Sequence, residues 1–127
     1  MPHTDGFLIP VLKTNKDAYR AAAEFAAPIF LEHGATRIVE TWGDDIKNGH
    51  TTDFNRAVIA KTSETVVFSW IEWPSKEAHD AGNAKIMADE RLANAPMPFD
   101  GKRLIFGGLV SLVDTANPAT PQAQDTP

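Results

Sequence analysis

The segment 65–76, TVVFSWIEWPSK, has apolar side chains on both of its faces when it is read as a β-strand leading into a helix. Side chains alternate between faces along a strand, so Val66 and Phe68 share one face while Val67 and Ile71 share the other. A strand open to water on one side would alternate apolar and polar residues. Other parts of the protein must therefore cover both faces of this strand.

The composition of the chain limits which kinds of protein and which chemistries are possible. The chain of 127 residues is 43% hydrophobic, enough for one domain with its own core, which we expect to span residues 1–114. Residues 115–127 are rich in Pro, Thr and Gln and predict a disordered tail. The absence of Cys excludes disulfides and thiolate chemistry. A net charge of −5 disfavours a nucleic-acid partner. With no signal peptide or membrane-length apolar run, the sequence predicts a cytoplasmic protein with no membrane partner.

The order of predicted elements indicates a fold. Asn15 is the expected cap of a first helix that Gly34 ends, and Ser75 is the expected cap of a second helix. Strands are expected at residues 6–12, 36–42, 65–73 and 103–113, and residues 56–60 fit either a short strand or a helical turn. This order, β-α-β-β-α-β, predicts an α+β, ferredoxin-like domain with an antiparallel sheet.

A four-stranded sheet with two helices has one uncovered face. Here that face is also apolar, so it needs a partner. The economical partner is a second copy of the chain packed sheet against sheet, which gives a dimeric α/β barrel with its helices outside. The sequence therefore predicts a homodimer formed through the sheet face.

Several runs of sequence resemble the DUF1428 family of small uncharacterised bacterial proteins. They are GFLIPV, RIVETWGDD, TDFNRAV, ETVVFSWIEWPSKEAHDAGNAKIMADER and MPFDGKRLIFGG, and together they cover roughly residues 5–110. The resemblance implies the dimeric α/β barrel and no established activity. One departure is His79, at a position where members commonly have Arg.

Three side chains are candidates for proton transfer. Glu40 and Asp53 carry carboxylates, and His79 carries an imidazole. The loop that holds Asp53 is also typical of a solvated turn, and Glu40 could instead pair with an arginine in the core or across the dimer. The loop spacing matches neither a calcium loop nor a zinc motif, so no metal site is expected.

A ligand site is expected between the helices and the sheet. The candidate ligand-binding residues are Trp42, Ser69, Trp70 and Asn83. Small residues around Gly82 would leave room beneath the second helix for an apolar ligand, or would only allow that helix to pack closely on the sheet.

The residues do not decide between two functions. One is the binding of a small molecule, aromatic or not, in this cleft without chemistry. The alternative is a cofactor-free enzyme, monooxygenase- or isomerase-like, of the dimeric α/β-barrel type. Neither function calls for a cofactor.

Overall fold

The fold is seen in a computed structural model, which describes residues 1–118. The strands are β1 (His3–Leu12), β2 (Arg37–Trp42), β3 (Glu64–Trp73) and β4 (Ile105–Val110). The helices are α1 (Lys16–Glu32), α2 (Phe54–Ala57), α3 (Lys76–Met87) and α4 (Glu90–Ala93), with a 3-10 turn at Lys13–Asn15 before α1.

The four strands form one antiparallel sheet in the order β2-β3-β1-β4. The two central strands pair along their whole length, from His3 opposite Trp73 to Leu12 opposite Glu64. The two edge strands are β2 and β4. The predicted α+β, ferredoxin-like fold is confirmed.

Local sequence signals explain where the helices begin and end. Ser75 caps α3, because its Oγ accepts a hydrogen bond of 3.0 Å from the backbone N–H of Ala78. Asp53 caps α2 in the same way, accepting from the N–H of Arg56. Gly34 follows α1 with φ of 112°, a conformation that favours glycine. Pro28 lies inside α1 without ending it.

One face of the sheet, here called the inner face, carries α1 and α3. Its core residues are Ile9 and Val67, packed with Tyr19 of α1, and Ile71 and Trp73, packed with Ile86 of α3. The side chain of Trp73 is fully buried. The helices thus supply the cover that the apolar inner side of β3 requires.

The opposite face, here called the outer face, is covered over only part of its area. The β2–β3 connection, residues 43–63, crosses it and buries Val58 against Leu8 and Val66. Phe54 of α2 stacks on Phe68 with ring centroids 6.0 Å apart. Phe68 nevertheless remains 45% exposed. Farther along the face, Leu109 is 59% exposed. The connection supplies a partial cover that the sequence analysis did not foresee.

Several predicted boundaries need correction. The first strand begins at His3 rather than residue 6, and the last strand spans Ile105–Val110 rather than residues 103–113. The ambiguous stretch at residues 56–60 begins as part of a helical turn, α2. From residue 119 onward, the predicted tail lies outside the described residues.

Within residues 1–118, no helix is long and apolar enough to cross a membrane. The cytoplasmic location stays a prediction.

Close packing, rather than a cavity, explains the small side chain at Gly82. This residue of α3 is buried, and a Cβ added to it would overlap the ring of Trp73 and the carbonyl oxygen of His33. The overlap is with backbone and a buried indole, neither of which moves aside easily. The close-packing alternative therefore holds for this helix.

We expect Gly82→Ala to lower the free energy of unfolding by about 1–3 kcal/mol, as overpacking does. At an open helical position the same change would raise stability, because alanine is the better helix former by about 1 kcal/mol. Urea unfolding shows whether the substitution lowers or raises the free energy of unfolding. Gly101→Ala is the control, since its Cβ would lie 3.8 Å from its nearest neighbour, a methionine side chain. A Gly82→Ala variant as stable as the wild type would contradict the packing described here.

Candidate functional site

The inner face has a groove at its β2 edge, between β2 and α1. Its volume is about 310 Å³. From α1 the groove is lined by Lys16, Tyr19, Arg20, Ala23 and Ala27, and from the sheet by Ile38, Glu40, Trp42 and Val67. Ala23 and Ala27 lie one and two turns beyond Tyr19 on the same side of the helix, and their short side chains leave the space open.

A hydrogen-bonded polar group lies in this groove, whose lining also includes the charged side chains of Lys16, Arg20 and Glu24. Tyr19 Oη donates a hydrogen bond of 2.7 Å to Glu40 Oε1. Ser69 lies directly opposite Glu40 in the β2–β3 pairing and also hydrogen-bonds its carboxylate. Because residues that face each other on paired strands share a side of the sheet, Glu40 and Ser69 both point toward α1. The strand register and one helical residue thus assemble the group.

The carboxyl of Glu40 has an unusual protonation equilibrium. Desolvation raises its pKa above the ordinary value of 4.5, and the hydrogen bonds from Tyr19 and Ser69 oppose this only in part. The residue as a whole is exposed to the groove, and the desolvation acts on its carboxyl, which Tyr19 Oη contacts. Burial, followed by the Glu40 charge, likewise raises the pKa of Tyr19. Among the described residues, no Lys or Arg forms an ion pair with Glu40.

Trp42 forms the aromatic wall of the groove. Its ring lies 6.4 Å from that of Tyr19, centroid to centroid. On its other side, Lys16 Nζ is 5.7 Å from the Trp42 centroid, a cation–π distance. Together with Arg20, Lys16 places two positive charges at the rim of the groove. The site can therefore contact a planar apolar body, one hydrogen-bonding group and one negative charge.

The structure brings three of the predicted site residues together and separates four. Glu40 and Trp42 line the groove between α1 and β2, and Ser69 hydrogen-bonds Glu40 there, whereas the site was expected beneath the second helix. Trp70 lies on the outer face, where its Nε1 donates to Glu72 at 2.9 Å. Asn83 is exposed on α3 and does not line the groove.

Asp53 has a structural environment on the outer-face side of the sheet. Its carboxylate accepts hydrogen bonds from the N–H groups of Arg56 and Gly49 and from the Arg56 guanidinium. The backbone hydrogen bond from Arg56 is the largest of the causes that lower its pKa. The residue therefore stabilises the β2–β3 connection.

His79 lies at the far end of the inner face, away from the groove. Its ring contacts Asp5 of β1 at 3.0 Å and the neighbouring Asp80 at 2.8 Å. His3, Asp5 and His79 form a cluster whose ligand atoms all lie within 4.8 Å of one another. Glu32, His33 and Asp89 form a second such cluster, which also includes Arg91.

A second depression, of about 450 Å³, lies beside residues 97–103 and is more polar. Its main charged groups satisfy each other. Arg103 donates to both oxygens of Glu64, at 2.8 and 2.7 Å, and the guanidinium lowers the pKa of Glu64 to about 2. A carboxylate paired in this way stays ionised and is unsuited to proton transfer at neutral pH.

Sequence reasoning missed Tyr19, Lys16 and Arg20. The apolar pattern of α1 does not mark the groove, since Phe25, a large apolar residue of this helix, is half exposed. The usable signal was the spacing of Tyr19, Ala23 and Ala27, which is four residues at each step and places one large polar aromatic beside two small residues. In an alanine-rich helix this face has little hydrophobic contrast with its neighbours.

Replacing Glu40 with Gln should make stability less dependent on pH. A raised folded-state pKa means that protonated Glu40 favours the fold, so wild-type stability is lost as pH rises from 4.5 through the raised value. Gln retains an acceptor for Tyr19 Oη and carries no charge. We expect Glu40→Gln to be at least as stable as the wild type near neutral pH, with the advantage vanishing in mild acid.

Urea unfolding at a series of pH values checks this expectation. Glu77→Gln, on the exposed side of α3, is the matched control and should follow the wild-type pH profile. The expectation fails if Glu40→Gln destabilises the protein most at neutral pH, since an ionised Glu40 would then stabilise the fold.

One solved structure of low sequence identity shows the same fold, and a second is similar to this chain. A dimeric ferredoxin-like protein from an uncultured marine organism matches with a TM-score of 0.50 and 12% identity, over 92% of this chain and 100% of the other. Rv0793 from Mycobacterium tuberculosis matches with a TM-score of 0.49 and 14% identity, over 91% of this chain and 100% of the other.

Sequence relatives are much closer. The uncharacterised protein YbaA of Escherichia coli K12 is 53% identical over 116 residues, which covers 90% of this chain and 99% of YbaA. YbaA of Shigella flexneri gives the same values. The model of the protein family of unknown function DUF1428 matches residues 2–101. The resemblance found in the sequence is thereby confirmed, and the chain belongs to the DUF1428 family.

Proposed function

We propose that the protein binds a small, partly aromatic acid or phenol in the groove between α1 and β2. The observation that carries the proposal is Glu40, a carboxyl with a raised pKa that faces an open apolar groove and has no cationic partner among the described residues. Solvating such a group incompletely costs free energy. A ligand that hydrogen-bonds to it would recover part of that cost.

The lining of the groove matches this class of ligand. Trp42 offers a face on which an aromatic ring can stack, and Ala23 and Ala27 leave space above it. Lys16 and Arg20 at the rim would attract a carboxylate or phenolate. A groove of this size suits a single-ring compound with a short polar substituent.

A screen of single-ring aromatic acids and phenols by saturation-transfer NMR tests the proposal. We expect binding that is lost in Trp42→Ala and at least tenfold weaker in Glu40→Gln, because the first removes the wall and the second removes the acceptor charge. Glu77→Gln should bind as the wild type does. Binding that survives both groove substitutions would contradict the proposal, as would a folded wild type that binds no member of the series.

A cofactor-free enzyme is the second candidate function, and the raised pKa of Glu40 favours it. A general base works best when its pKa lies near the operating pH, which burial of a carboxyl promotes. In an isomerase-like reaction, Glu40 would take a proton from a ligand carbon and return it to another carbon. Exchange of that hydrogen for deuterium from D2O, abolished in Glu40→Gln while stacking on Trp42 persists, would favour the enzyme over the binder.

We also propose that two copies of the chain pair through the outer face. Ile105, Leu109 and Phe68 are each about half exposed there, and Val39 and Trp70 lie beside them on the neighbouring strands. An exposed apolar patch of this kind marks an interaction surface. The similar marine protein is described as dimeric, which supports a second copy as the occupant.

Sedimentation velocity should give a dimer for the wild type and a monomer for Leu109→Lys or Phe68→Lys. A stable interface would bury about 800 Å² per partner, and a lysine within it would leave a charge unpaired. Leu31→Lys is the matched control, because Leu31 is similarly exposed but lies on α1, remote from this face. A monomeric wild type at micromolar concentration would rule the dimer out.

A further inference from the structure

We propose that His3, Asp5 and His79 form a binding site for a divalent metal ion that prefers imidazole ligands, such as Zn²⁺. No metal site was expected from the sequence, because the spacing in the loop that holds Asp53 matches neither a calcium loop nor a zinc motif. His79 is far from His3 and Asp5 in the chain. The site is separate from the groove and does not depend on the function proposed for it.

The topology brings the three side chains together. His3 and Asp5 are two residues apart on β1, so both point to the inner face. His3 pairs with Trp73, the last residue of β3, and α3 begins only three residues later. The first turn of α3 therefore places His79 over the same end of β1.

The distances suit a metal centre. His79 Nε2 lies 3.0 Å from Asp5 Oδ2, and His3 Nε2 lies 3.4 Å from Asp5 Oδ1. In a tetrahedral zinc site with bonds of about 2.1 Å, neighbouring ligand atoms are about 3.4 Å apart. Small side-chain rotations would suffice to place all three ligands around one ion.

The hydrogen bonding leaves a ring nitrogen that a cation would satisfy. His79 Nδ1 lies 2.8 Å from Asp80 Oδ1, and His79 Nε2 faces Asp5 Oδ2 at 3.0 Å. His3 Nε2 is buried and has no hydrogen-bond partner among residues 1–118. An unsatisfied buried polar atom of this kind is costly. A metal ion held by Asp5 and the two Nε2 atoms would satisfy it.

The surrounding residues hold the ligands as outer partners do in metal sites. Asp80 orients His79 and is itself paired with Lys76 at 2.8 Å. Trp73 Nε1 donates to Asp5 Oδ2 at 3.3 Å. A carboxylate–histidine pair on the outer side of a metal is a common arrangement, because it fixes the tautomer and the ring orientation.

Gly108 of β4 leaves room for the side chain of His3. A Cβ on Gly108 would lie 2.9 Å from one carbon of the imidazole and 3.0 Å from Nε2. The absence of a side chain at Gly108 therefore allows the His3 ring to approach the edge strand beside Asp5.

The ligand set selects the class of metal. Two imidazoles and one carboxylate suit Zn²⁺, Co²⁺, Ni²⁺ or Cu²⁺, whereas Mg²⁺ and Ca²⁺ prefer oxygen ligands. Three protein ligands leave a fourth position for water or another small ligand. The side chains of His3, Asp5 and His79 are 12%, 16% and 19% exposed, so the site is sheltered but within reach of solvent.

The second cluster lacks these features. Arg91 donates to Glu32 and Asp89, and His33 Nε2 bonds Asp89 at 2.8 Å. A guanidinium already neutralises both carboxylates there. His33 therefore serves as the internal control for the proposal.

Titration of the full chain, freed of any affinity tag, with Co²⁺ tests the site through visible absorption, and Zn²⁺ competition confirms it. We expect one ion per chain. His3→Gln and His79→Gln should each weaken binding by more than a factor of ten, and Asp80→Asn by about 10–100-fold, as outer-partner substitutions do. His33→Gln should bind as the wild type does. The proposal is overturned if the wild type takes up no Co²⁺, or if His33→Gln alone abolishes uptake.

Histidine NMR of the wild type provides a test that does not depend on the folding of any variant. Paramagnetic Co²⁺ should broaden the ring signals of His3 and His79 first, and those of His33 and His50 only at excess ion. Broadening that begins at His33 or His50 would overturn the assignment.

Discussion

The pairing of β1 with β3 along their whole length is the interaction on which the rest of the structure depends. Both strands carry apolar residues on both faces, so the pair is stable only when each face is covered. Val11, Val66, Val67 and Trp73 are almost completely buried by that cover. Burying such side chains contributes about 1.5–3 kcal/mol each, which makes this strand pair the main source of stability.

The two faces are covered by different means, and the difference has consequences. On the inner face, α3 packs so closely that only glycine fits at position 82, whereas α1 lies over β2 with alanines at positions 23 and 27. A small residue therefore allows close packing without a cavity under α3, whereas small residues leave an open groove under α1. Which of the two results depends on how closely the helix approaches the sheet, and local sequence does not encode this.

The sequence predicted the architecture because its strongest signals are local. The two-faced pattern of residues 65–73, the Ser75 cap and the glycine after α1 all correspond to features of the structure.

The candidate site was only half predictable. Glu40 and Ser69 were recognised as polar residues on apolar strands, and the register places them side by side. Tyr19 was missed, because its contact with Glu40 spans 21 residues and depends on how α1 is rotated. The His3 contacts were missed because the first strand was expected to begin at residue 6, whereas it begins at His3.

Two glutamates illustrate how the environment of a carboxyl group raises or lowers its pKa. Glu64 receives two hydrogen bonds from Arg103 and one from the backbone N–H of Lys61, so its charge is stabilised and its pKa falls to about 2. Glu40 receives hydrogen bonds from uncharged hydroxyl groups only, so desolvation prevails and its pKa rises. The chain contains arginines that could have neutralised Glu40, and Arg20 lies at the same groove. A carboxyl left without a cation beside an open, mostly apolar groove is incompletely solvated, which disfavours its ionised form. Functional sites commonly retain such costs, because the same incomplete solvation that weakens the fold strengthens contact with a ligand.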